Sequence, residues 1–76
     1  MSASLERIAA KLAEECIRVM DETGDEQFFM RVAESIGTSS QTLEEAFLTE
    51  IRIRLAARKA MRMIKSAGKP SGKSSG

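Results

Sequence analysis

The chain has 76 residues, enough for one small domain whose core covers only about 60% of the surface its unfolded form exposes. Its lone cysteine, Cys16, rules out a disulfide within the chain, and the absence of histidine argues against a structural zinc site, so no metal and no cofactor is expected. A net charge of +1 conceals a polarised chain: residues 1–50 carry eleven acids and four bases, net −7, while residues 51–76 carry eight bases and no acid, net +8.

In the first segment Leu5, Ile8, Ala9, Leu12, Ala13, Cys16, Ile17 and Met20 recur at spacings of three and four, the stripe of an amphipathic helix. The predicted helix runs from Leu5 to Glu22, with Ser4 or Ser2 capping its start and Gly24 stopping it. Cys16 falls within the stripe and reads as a buried thiol in a reducing compartment. No basic leader followed by an apolar run is present, and no stretch reaches the ~18 apolar residues of a membrane span, so a cytoplasmic location is expected.

Asp25 offers a second cap, and Phe29, Val32, Ala33 and Ile36 form the apolar face of a helix predicted over Glu26 to Ile36. Phe28 and Met30 on either side widen the surface expected to be buried. Gly37 is read as the left-handed residue that ends this helix.

From Ser39 to Ala67 there is no glycine or proline, but the apolar pattern changes sides. Leu43, Phe47, Ile51 and Leu55 lie along one row, and Ile53, Ala57, Ala60 and Ile64 along another. With Thr49 and Glu50 as a join, the pattern predicts a short helix from Ser40 to Phe47 and a longer one from Glu50 to Ala67. Residues 68–76 are small, polar and basic, with nothing to bury, and are expected to form a disordered tail. The expected architecture is therefore all-α: a bundle of three to four helices over 1–67 with a basic tail.

Residues 29–48 carry the spacing of a helix-turn-helix. Ala33 is small where the next helix passes, Gly37 makes the turn, and Ser39 is placed to cap the second helix. Val32, Ile36, Leu43 and Ala46 point inward. Thr23-Gly24 followed by Val32-Ala33, Gly37, Ser39, Thr42-Leu43 and Phe47 resembles the DNA-binding headpiece of tetracycline-repressor-like proteins. The same series is similar to the first helix-turn-helix of arabinose-regulator-like activators. The resemblance covers about 20 residues closely, or about 60 with the flanking helices; it implies a transcriptional regulator that binds DNA as a homodimer.

On that reading Thr38, Ser39, Ser40, Gln41 and Glu44 face the major groove, with Glu45 beside them. Gln41 would pair with an adenine edge. Arg31, Arg54, Arg58, Arg62 and Lys65 would contact phosphate, and Ile53, Ala57, Ala60 and Ile64 would form the dimer interface. Glu44 and Glu45 oppose this reading, because two adjacent carboxylates meet a polyanion poorly and the recognition segment has no Lys or Arg. The competing expectation is a small adaptor or inhibitor, of the kind phages and mobile elements encode, that uses the same shape to bind a protein. Six bases without an acid from Arg52 to Lys65 make a contact surface under either reading. Without His, Tyr or a phosphate-binding glycine loop, no enzyme is expected.

Overall fold

Three helices build the chain: α1 (Ala3–Thr23), α2 (Phe28–Gly37) and α3 (Gln41–Gly68). The computed structural model describes residues 2–68; the tail expected beyond Gly68 lies outside the described residues. The protein is all-α, and no strand occurs among the described residues.

α1 forms as its stripe predicts. Ser2 is the cap, its hydroxyl accepting from the Leu5 N–H at 3.1 Å. Ala9, Ala13, Cys16, Ile17 and Met20 make the buried row. Gly24 closes the helix in the left-handed conformation (φ 77°), its N–H donating to the Met20 carbonyl. A Cβ at Gly24 would meet nothing within 4 Å, so replacement is limited by backbone conformation alone. A left-handed residue with a Cβ costs about 1–2 kcal/mol, and asparagine tolerates the region better than alanine. Urea unfolding should therefore rank wild type above Gly24→Asn above Gly24→Ala, and equal midpoints for all three would refute the assignment.

α2 starts two residues later than its sequence suggests. Asp25 spends its carboxylate on a local turn, Oδ1 accepting from the Gln27 N–H at 3.0 Å, and helical geometry begins at Phe28. Ala33 is the buried residue of α2; Phe28, Phe29, Val32 and Ile36 are half-buried against the core. Met30, expected to widen that surface, is 56% exposed.

The turn into α3 differs from its expected chemistry at two positions. Gly37 is the last helical residue of α2, and its φ is not positive; Gly24 is the left-handed glycine among the described residues. Gly37 instead leaves space: a Cβ there would lie 2.5 Å from Oε1 of Glu44. The cap of α3 is Ser40 and not Ser39. Oγ of Ser40 accepts from the Leu43 N–H at 3.1 Å, while the N–H groups of Ser39 and Ser40 both donate to the Ile36 carbonyl.

The largest correction concerns residues 40–67. They form no pair of helices meeting at Thr49; Gln41–Gly68 is one helix of 28 residues, and Gly68 belongs to it, not to the tail. The two apolar rows lie on roughly opposite sides at about 100° per residue, and the helix accommodates both by burying only the first. Phe47 and Ile51 are fully buried, with Leu48 and Leu55 packed beside them. The second row stays exposed: Ile53 by 55%, Ile64 by 63% and Met63 by 69%.

α1 and α3 run in the same direction. Glu6 and Ala9 share a groove with Glu45, Thr49 and Ile53, and Asp21 reaches Arg58 at the other end. α2 returns between them, from Gly37 beside Glu44 to Phe29 beside Leu55. Every residue of α3 from Ala56 to Gly68 is exposed. Its inner side still borders α1 and the loop after it through Ala57, Arg58, Met61 and Arg62, while Ala56, Ala60, Met63, Ile64 and Ala67 are exposed on the outer side.

Candidate binding surfaces on α3

Two surfaces follow from this arrangement, one at the start of α3 and one along its exposed half.

At the start, Thr38 and Ser39 are exposed in the turn, and the Thr38 hydroxyl donates to the Ser35 carbonyl at 2.7 Å. Ser40 is half-buried with its hydroxyl committed to the cap. Gln41, Thr42 and Glu45 are exposed. Glu44 does not share their outlook: it packs against Gly37 and lines a groove with Phe29, Ala33, Leu48 and Ile51. It sits in the first turn of α3, where the helix dipole favours a carboxylate. The exposed side of this segment is thus neutral to acidic, and Glu6 of α1 adds to it through the groove it shares with Glu45 and Glu50.

The five cations expected to contact phosphate divide into two groups. Arg31, Arg54 and Arg58 are paired within the fold. Arg31 Nη2 lies 2.5 Å from Asp25 Oδ2, with its guanidinium carbon 5.5 Å from the centre of the Phe28 ring. Arg54 pairs with Glu50 one turn earlier on α3. Arg58 spans to α1 through two hydrogen bonds, 2.9 and 2.5 Å, to the two carboxylate oxygens of Asp21. That bidentate contact holds the Asp21 carboxyl below its ordinary pKa and raises Arg58 above its own. Asp25 is likewise lowered, first by Arg31 and then by the Gln27 N–H. Arg62 and Lys65 make no ion pair among the described residues, and neither do Arg52 and Lys59.

The proposed interface residues Ile53, Ala57, Ala60 and Ile64 are all exposed, with Ala57 bordering Ile17 and Asp21 of α1 and Ile53 bordering Glu6 and Ala9. Ala56, Met63 and Ala67 share their side of the helix, so the apolar surface is wider than those four residues suggest. The missed signal is readable in the spacing: Ile53, Ala60 and Ala67 recur every seven residues, with Ala56 and Met63 three residues after the first two. Arg52 and Lys59 border this stripe on one edge at the same interval.

No helix among the described residues is long and apolar enough to cross a membrane. No group of three or more His, Cys, Asp or Glu side chains among them could hold a metal ion. Cys16 is buried beside Met20, Sγ to Sδ 3.9 Å, and burial pushes its thiol pKa up. Comparison with protein-family models, curated proteins and solved structures finds no match to this chain.

Proposed function

We propose that this protein is a small helical binding module whose partner is another protein, engaged by the exposed outer side of the C-terminal half of α3. One observation carries the reading: that half-helix presents an uncovered apolar stripe with cations at its edge. Phosphate contacts would use the cations and leave Ile53, Met63 and Ile64, each more than half exposed, in water. A protein partner covers both, and contiguous exposed apolar surface commonly marks such contacts. The buried Cys16 thiol suits work in a reducing cell interior.

DNA binding by a homodimeric regulator is the second reading, favoured by the four cations of α3 that lack an acidic partner among the described residues. The acidic character around Glu45 weighs against it, since phosphate neutralisation supplies most non-specific affinity. A gel shift of the full chain on a random-sequence duplex, over a range of salt starting near about 50 mM, separates the two. The protein-binding reading expects at most a weak shift that disappears with added salt and is indifferent to Gln41→Ala. A shift that persists, changes sequence preference with Gln41→Ala and weakens uniformly with Arg62→Ala would establish the DNA reading instead.

A further inference from the structure

Building on the protein-binding reading, we infer that the partner is an acidic amphipathic helix lying along α3 from Ile53 to Ala67. The stripe it covers is Ile53, Ala56, Ala60, Met63, Ile64 and Ala67. Five of these residues fall on the seam positions of a two-helix packing with Ile64 on its flank, and three of the six are alanines, which let helix axes approach closely. Met63 supplies an unbranched side chain that adapts to the opposing surface. Arg52 and Lys59 flank the seam at the positions where charged residues choose partners, and no acid follows Glu50 anywhere in α3.

Charge decides between the available occupants. A second copy packed antiparallel would set Arg52 and Lys59 against the same residues of its mate. Packed parallel, it would face them with Ala57 and Ile64, which offer no counter-charge. Neither arrangement of α3 on α3 gives Arg52 and Lys59 an acidic partner, because α3 carries no acid after Glu50. A helix with glutamates beside its apolar seam gives both of them a counter-charge. Exposed ion pairs contribute little affinity individually, so the charge acts as a selector while the seam supplies the binding. Duplex DNA leaves the seam wet. A lipid surface is poorly served by an apolar face containing no Trp, Tyr or Phe.

The test uses the full chain and two synthetic peptides of about 20 residues, long enough to form a helix. Both carry leucine and alanine on the seam; one has glutamate and the other lysine on the flanks. Fluorescence anisotropy should show the glutamate peptide binding about tenfold or more tightly than the lysine peptide, a preference that narrows as salt rises. Arg52→Gln combined with Lys59→Gln should remove the preference. Ala60→Gln should weaken the glutamate peptide about tenfold while leaving thermal unfolding unchanged, because residue 60 is exposed. Equal binding of the two peptides, or none from a chain that remains folded, overturns the inference. A sedimentation mass of two chains that falls to one with Ala60→Gln also overturns it, because the stripe is then covered by a second copy. Preferential capture by vesicles of anionic phospholipid overturns it in favour of a membrane. Those results leave the gel-shift comparison intact, whereas salt-resistant, sequence-dependent duplex binding sinks the protein-binding reading on which the inference rests.

Discussion

Phe47→Ala is expected to unfold most of the domain at physiological temperature. Phe47 and Ile51 are the only large side chains fully buried among the described residues, and the rest of the core is largely alanine, with Cys16, Ile17 and Met20 on α1. Removing a buried phenylalanine costs about 3–5 kcal/mol through lost transfer energy and the cavity left behind. A folded unit of this size has roughly 3–10 kcal/mol in total. The substitution thus removes a large share of the stability, and in α3 it removes the side chain at the centre of the contact with both other helices. Thermal unfolding followed by far-UV circular dichroism should show the midpoint falling by about 15 °C or more, or no cooperative transition at all. Ile64→Ala is the internal comparison. It deletes about half as much hydrocarbon from the same helix, but Ile64 is 63% exposed, so the expected change is not half as large but within about 0.5 kcal/mol. If the two substitutions destabilise equally, Ile64 is packed like Phe47 and the exposed outer side of α3 does not exist.

That contrast also explains which parts of the structure were legible in the sequence. α1, expected from Leu5 to Glu22 and found over Ala3–Thr23, is legible to within two residues because a single apolar stripe is bounded by a serine cap and a left-handed glycine, both local devices. Spacing predicts a join at Thr49 in α3 only where each apolar row must be buried by the chain itself. Phe47 and Ile51 meet that condition; Ile53 and Ile64 do not, and a straight helix needs no join to hold both rows. The surface residues were legible as a basic cluster, but not as separate populations. Arg54 finds Glu50 one turn away, a pairing that spacing could have suggested. Arg58 finds Asp21 on α1, 37 residues earlier, and only the parallel packing of α1 on α3 brings them together. Glu44 reads as outward-facing because it follows the turn, yet the missing Cβ of Gly37 gives its carboxylate a place beside α2. In each case the local rule was sound, and a tertiary contact decided the outcome.

The same parallel packing makes Ala13→Leu the second substitution with a large expected effect. Ala13 is fully buried, one turn after Ala9, also fully buried, and one turn before Ile17 on the same row of α1. Alanine and leucine are both good helix formers, so the change does not disturb α1 as an isolated helix. Its cost comes from three added carbons where helix backbones approach across alanine. Overpacking of this kind costs about 1–3 kcal/mol, and here it should be relieved by α1 moving away from α3. Cys16 reports that movement, because it lies on the same row and is 4% exposed, with its thiol pKa raised by burial. In the wild type an aromatic disulfide reagent at neutral pH should modify Cys16 slowly, at a rate limited by opening of the fold. In Ala13→Leu the reaction should accelerate by about tenfold or more, while the far-UV spectrum at low temperature keeps most of its helical signal. Combining Ala13→Leu with Asp21→Asn should add little further acceleration, since the displaced α1 has already drawn Asp21 from Arg58. An unchanged thiol rate in a stably folded Ala13→Leu chain would mean that α1 lies farther from α3 than its buried row requires.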